Sequence, residues 1–218
     1  SDRAGYTSAK ASFIQSALSQ AHEYIGIGQF GPAYQSMLEN DTHAPGSVDR
    51  TLAEQMVKLC CETAEYLYSV HTRTQILYRR GSRPQLELYV GSMINRSSSN
   101  EKTVERIAQF TSQLQEKAES NLDKVRIGGL EEDIIGRGSD WCTDLARVSC
   151  VLCQVAELPA RLVTLVDVEK AYSAHVITEV YRFGVWGAVD STTNVVYRHE
   201  GGNPATTWEL MNDPELLE

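Results

Sequence analysis

No stretch of this chain approaches the roughly 18 consecutive apolar residues of a membrane span. No basic start leads into an apolar segment of the kind that opens a secretory leader. Positive charge is scarce: 20 Lys and Arg stand against 29 Asp and Glu, a net charge of −9. Phosphate backbones and anionic lipid are therefore poor electrostatic matches, and neither nucleic acid nor a membrane surface is expected as a partner. The five cysteines are odd in number and two of them, Cys60 and Cys61, are adjacent. That is no disulfide framework, and a reducing, cytoplasmic setting is expected. The single CxxC, Cys150 to Cys153, has no second CxxC or HxxxH to complete a zinc set. No D-x-[DN]-x-[DN]-G loop supports calcium. No metal or other cofactor is expected. Internal repeats and long low-complexity tracts are lacking too.

What the chain does have is apolar material for a core: 42% hydrophobic and 22% charged residues over 218 positions. Its two halves differ in period. From Tyr6 to about Ser120 the pattern is mostly helical. The run from Val48 to His71 places Leu52, Met56, Leu59, Cys60, Ala64, Leu67 and Tyr68 at three- and four-residue spacings, with Asp49 a plausible N-cap. Leu86–Ile94 is a short apolar run. Glu101–Glu119 carries Val104, Ile107, Ala108, Phe110, Leu114 and Ala118 on one side, with Asn100 placed to cap it. "YRRGSRP", Tyr78 to Pro84, reads as a solvated loop rather than a basic docking patch.

The second half opens with loop-like "RIGGLEED" and "GRGSD", then one helix over about Trp141–Glu157. Four strand-like segments follow: Ala160–Val168, Ala174–Phe183, Val185–Ser191 and Asn194–Glu200. They are rich in Val, Thr, Tyr and Trp and separated by short turns. A short helix is plausible in the acidic tail after Ala205. Helices first and a strand meander later imply an α+β fold, with a helical N-terminal half (1–120) packed on a core (121–218) of one central helix and an antiparallel sheet.

Most of the cysteines read as packing residues. Cys150 and Cys153 lie inside the predicted helix, whereas a redox CxxC needs its first thiol at a helix N-terminus. Cys153 shares the apolar face with Leu145, Ser149 and Leu152, and Cys60 and Cys61 sit within the 48–71 run. Cys142 differs. It falls at the first turn of its helix, behind Ser139 and Asp140 as candidate caps, where free N–H groups favour a thiolate. A nucleophilic Cys needs a base. Of the five histidines, His175 starts a strand, and Asp190 ends the next one fifteen residues on. A tight turn near Gly184 would bring the two side by side. Nothing in the spacing itself brings Cys142 to them.

At these residues the chain resembles the transglutaminase-like superfamily, papain-like thiol enzymes with Cys, His and Asp in that order. The matching pieces are "GSDWCTDLARVSCVLC", "ELPARLVTLV", "HVITEVY" and "GVWGAVDSTTN", with 33 residues from Cys142 to His175 and 15 from His175 to Asp190. The resemblance covers about Gly128 to Glu200. The resemblance implies Cys142 as nucleophile, His175 as its base and later acid, and Asp190 as the group that orients the imidazole. Trp141 would wall a substrate site or simply pack. Arg161 and Glu179 would be structural partners, and Trp186 a core residue. The Cys142 N–H is a ready oxyanion donor. Position 136 is Gly where papain-type enzymes carry a Gln, and Ile177 stands where members of the family commonly have an aromatic residue.

The reaction so implied is acyl transfer from an amide, ester or thioester carbonyl through a thioester, on a peptide, protein or small acyl substrate. Hydrolysis is mildly favoured because water is always present. Transfer to an amine, as in a transglutaminase or a biosynthetic amide synthase, uses the same residues, and a non-catalytic interaction module is the third reading.

Overall fold

The computed structural model describes residues 56–69, 72, 74–94, 99–119, 127–167 and 172–217. Its elements run β1 (Met56–Leu59), α1 (Cys61–Leu67), α2 (Pro84–Ile94), α3 (Asn100–Glu119), α4 (Glu131–Arg137), α5 (Cys142–Val155), β2 (Ala160–Asp167), β3 (Tyr172–Arg182), β4 (Val185–Asp190), β5 (Val195–Val196) and α6 (Thr207–Asn212), then a 3-10 turn at Pro214–Leu217. The fold is α+β. One five-stranded sheet, in the order β1-β2-β3-β4-β5, separates two packed layers.

On one face lie α2, α3, α4 and α5. Leu86, Val90, Val104, Ile107, Ile134, Leu145 and Leu152 share a cluster there with Leu162, Val176, Val180 and Val189 of the sheet. On the other face Leu59, Leu67, Val163, Leu165, Ile177, Ala188, Leu210 and Met211 pack together under α1 and α6. The alternation along β2, β3 and β4 feeds both layers, as expected of a sheet covered on two sides. Helices 84–119 thus share a core with the later helix and strands.

Two elements depart from the expected pattern. The predicted helix over Val48–His71 is instead, within its described part, a strand followed by a short helix. Met56–Leu59 pairs parallel with β2, Met56 opposite Leu162 and Leu59 opposite Leu165. The sheet is therefore mixed rather than antiparallel throughout. The apolar positions of "MVKL" fit either period, and a distant backbone partner decided the outcome. Cys60 is then not mid-helix but the N-cap of α1, where its N–H donates to Thr63 Oγ1 at 3.0 Å. The proposed cap Asp49 lies outside the described residues.

The second departure is α4, read from sequence as loop. Glu131 is fully buried and receives Arg83 Nη1 at 2.5 Å and Arg147 Nη2 at 2.7 Å. Arg83 also pairs with Glu132. So "YRRGSRP" is not wholly a solvated loop: its last Arg is buried and committed to α4. Seven residues with an internal Gly would not hold a helix alone, and these long-range pairs supply the difference. Among the described residues, no helix is long and apolar enough to cross a membrane.

Candidate active site

The site begins at the start of α5. Among the described residues no side chain caps this helix; Trp141 is its N-cap and Cys142 its first residue. Ser139 and Asp140, expected as caps, do not play that part. Ser139 Oγ instead accepts the Trp141 N–H at 3.3 Å and donates to Asp144 Oδ2 at 3.0 Å. Asp144, fully buried in the first turn, also receives Arg137 Nη2 at 2.9 Å and Gly128 N–H at 3.0 Å. The approach to the cysteine is thus tied from three sides to one carboxylate. The first-turn amides carry no side-chain cap, an anion-favouring arrangement next to the thiol.

Gly138 fixes the approach from behind. Its φ is +80°, and a Cβ there would stand 2.6 Å from the Leu114 carbonyl oxygen and 2.6 Å from the Ala118 nitrogen of α3. Ser139 N–H donates to that same Leu114 carbonyl at 3.2 Å. Only glycine fits this close backbone crossing.

α5 lies along β3 with the two N-termini at the same end. Thr178 Oγ1 donates to the Ala146 carbonyl at 2.9 Å. One helical turn back from Ala146, about 6 Å, is Cys142. Two to three residues back from Thr178, about 7–10 Å, are Val176 and His175. The thiol and the imidazole are brought level by this single docking contact.

β3 and β4 are joined by the two-residue turn Phe183–Gly184, both with positive φ (+54° and +84°), the mirror-image turn that suits the strand twist. The register runs from Arg182 opposite Val185 to Thr178 opposite Val189. One step further, Asp190 comes across from Ile177, and His175 is its diagonal neighbour on the same face. His175 Nε2 and Asp190 Oδ2 are 3.1 Å apart, with the residues 4% and 1% exposed. Asp190 Oδ1 accepts the Thr192 N–H at 2.8 Å. Nε2 being engaged, Nδ1 is the nitrogen left for the thiol.

The electrostatics bind the three together. Burial pushes the Cys142 thiol up, yet the hydrogen bond and charge of His175, helped by the Val176 backbone and Thr143, hold it below the usual thiol value. Burial pulls the His175 imidazole down, but hydrogen bonding to Asp190 and Cys142 and the charges of both raise it to about 10. Burial also opposes ionisation of Asp190, and the His175 hydrogen bond and charge with the Thr192 N–H outweigh it. Cys150 and Cys153 are the contrast: burial, added to by the charges of Cys153 and Glu131, pushes Cys150 well above the thiol value, and burial against the Arg182 charge pushes Cys153 to about 12.

Trp141 stands beside the thiol 44% exposed, so it does not pack as a core anchor. Arg161 and Glu179 form a buried pair, Nη2 to Oε2 at 2.6 Å, and Trp186 is buried with the Arg161 guanidinium 4.1 Å above its ring. Asp144, Gly138 and Thr192 were not singled out from sequence. For Thr192 the signal was present: an Asp followed by Ser-Thr-Thr after a strand is a motif in which the carboxylate accepts the N–H two residues on. For Asp144 no signal existed, since an acidic residue in a first helical turn is ordinarily solvated.

A groove of about 710 Å³ opens elsewhere, lined by Ile76, Tyr78, Val90, Ile94, Gln154 and Ala156. It lies at the far end of α5, about 20 Å along the helix from Cys142, and contains none of the three residues. Among the described residues no cluster of three or more His, Cys, Asp or Glu is arranged to hold a metal ion.

Residues 90–191 match the family model of the transglutaminase-like superfamily, a span that includes Cys142, His175 and Asp190. Over that span the chain is similar to that superfamily. The match points to cysteine-based acyl transfer in general and specifies no reaction or substrate. No curated protein and no solved structure matches the chain.

Proposed function

We propose that this protein is a cysteine acyl-transfer enzyme in which Cys142 is the nucleophile, His175 the proton carrier and Asp190 the residue that orients the imidazole. One observation carries the reading: the buried His175 ring hydrogen-bonds Asp190 through one nitrogen and meets the Cys142 thiol through the other, so that the thiol is lowered and the imidazole raised together.

The resting pair is thiolate and imidazolium. Cys142 Sγ attacks the substrate carbonyl carbon, and the oxyanion that forms meets the Cys142 N–H at the uncapped start of α5. His175 Nδ1–H protonates the leaving amine as the C–N bond breaks, giving a thioester and a neutral imidazole. Water then loses a proton to Nδ1 and attacks the thioester. The thiolate leaves, the acid is released and the imidazolium is restored. An amine in place of water yields an amide by the same steps. Hydrolysis is preferred because excluding water needs a closed site. The partner is a peptide, protein or small acyl substrate, and Trp141, exposed beside the thiol, is positioned to contact it.

The test is iodoacetamide labelling over a pH series with the modified peptide located by mass, on wild type and His175→Ala. Cys142 is expected to label fastest, well below the free-thiol pKa of about 8.5, and the substitution to remove that advantage. Equal labelling of Cys142 and Cys60 at low pH in the wild type would overturn the reading.

A further inference from the structure

Residues 114 and 115 of α3 are adjacent in sequence and reach two different parts of the site. The Leu114 carbonyl accepts the Ser139 N–H at 3.2 Å, and Gly138 rests on the backbone of Leu114, Lys117 and Ala118. Ser139 in turn holds Trp141 and Asp144, and so the first turn of α5. Gln115 points the other way: its Nε2 donates to the Thr192 carbonyl at 2.9 Å. Thr192 is the residue whose N–H occupies Asp190 Oδ1, leaving Oδ2 for His175.

The two contacts on Thr192 act on either side of one residue. Fixing its carbonyl fixes the orientation of the following peptide. Fixing its N–H fixes which oxygen of Asp190 is spent. Asp190 ends β4, one residue past the ladder with β3 and paired with Val195 of β5, and both the N–H and the side chain of Thr192 reach its carboxylate. A half-buried glutamine on a helix of the opposite layer is thus the tether of the turn that presents the carboxylate.

Resting on the triad reading above, we propose that Gln115 is a positioning residue: through the Thr192 backbone it holds Asp190 in the orientation that keeps His175 protonated and Cys142 ionised, and the Leu114–Gln115 step of α3 fixes the distance between the nucleophile's helix and the Asp190 turn. Gln115 touches no reacting atom. Its effect is read as the proton affinity of the pair.

The sign follows from the chemistry. A loosened Asp190 stabilises the imidazolium less, so His175 loses its proton more readily and Cys142 keeps its own longer. The acid limb of Cys142 labelling then moves to higher pH. Gln115→Met removes the donor at nearly the same length. Gln115→Glu keeps the shape but offers an acceptor against the Thr192 carbonyl. Both are expected to raise the acid limb of Cys142 labelling by about one pH unit, about tenfold slower labelling below the limb. Gln113→Met, exposed on the same helix, is expected to leave the limb in place. Val104→Ala, a buried cavity variant in the same helix, controls for stability: it is expected to lower Tm and leave the limb alone.

A wild-type acid limb below the free-thiol range with both Gln115 variants superimposed on it would overturn the inference and leave the triad standing. An equal shift in Val104→Ala would overturn it too, by making the effect one of general loosening. Absence of the low acid limb in the wild type itself would remove the triad reading and this one with it.

Discussion

β3 carries two buried carboxylate–cation pairs four residues apart, and they are built to opposite ends. Glu179 accepts Arg161 Nε at 2.8 Å and Nη2 at 2.6 Å, the Tyr68 hydroxyl at 2.7 Å and the Thr207 N–H at 2.8 Å. The remaining face of Arg161 donates to the Leu67 carbonyl and is covered by the Tyr68 and Trp186 rings. Both oxygens of Glu179 accept two hydrogen bonds each and all three Arg161 nitrogens donate to protein, and the pair stitches α1, β2, β3 and α6 together. His175–Asp190 has one hydrogen bond between its members, Thr192 on the carboxylate through its N–H and its side chain, and a second ring nitrogen aimed at a thiol. The first pair uses a guanidinium, which does not give up its proton at working pH, and the second an imidazole, which does. Saturation makes a staple. An unfilled, titratable position makes a proton carrier.

Removing one partner of the staple should produce the largest effect. Glu179→Ala leaves an unpaired buried guanidinium and is expected to cost about 3–5 kcal/mol in denaturant unfolding. If the comparison holds, the folded fraction of that variant still labels Cys142 with the wild-type acid limb. A displaced limb would mean the two pairs are one network. His175→Ala should do the reverse. At pH 6 a thiol with an ordinary pKa near 8.5 is ionised to about one part in 300, so labelling of Cys142 is expected to fall by about 100-fold. The cost in stability should stay under about 3 kcal/mol in the same denaturant titration.

Gly138→Ala comes next. It places a methyl 2.6 Å from α3 backbone at a φ of +80°, and a loss of about 2–3 kcal/mol in Tm-derived stability is expected. Because Gly138 sits on the nucleophile's approach and not on either pair, slower Cys142 labelling with an unmoved acid limb would place its effect on access. The pH profile of any acyl-transfer activity should be broad. Cys142, held below the thiol value, sets its acid limb, since transfer needs the thiolate. His175, raised to about 10, sets its alkaline limb, since transfer needs the imidazolium. An alkaline limb near 6.5 in steady-state rates would show that Asp190 does not hold the proton. The smallest effect belongs to Trp141→Ala: half-exposed, it should change stability by less than about 0.5 kcal/mol, measured by thermal unfolding, while altering the KM for substrate if it lines the site.

How much of this could be read from the sequence depends on how local each feature is. The helix opening at Cys142, the three strands 160–190 and the turn at Gly184 follow from period, propensity and turn chemistry within about fifteen residues. The His–Asp juxtaposition followed from counting back from the turn. β1 was invisible because its identity rests on a parallel partner a hundred residues later. α4 was invisible because its stability rests on Arg83 and Arg147. Gln115 looked like any polar residue on an amphipathic helix, and its meaning exists only once the turn after β4 is packed against it. Local rules reached the residues proposed to react and missed those that hold them.

The two-residue turn at Phe183–Gly184 imposes a parity condition on the chain's history. His175 and Asp190 share a face only because the number of residues between them matches the alternation of both strands. Loss or gain of a single residue within Val185–Val189 would send the Asp190 carboxylate through the sheet into the apolar layer beneath α5. A change of two would restore the face. It would also move the carboxylate about 7 Å along the strand, so substitutions can accumulate along this hairpin while its length is held by face and by reach together.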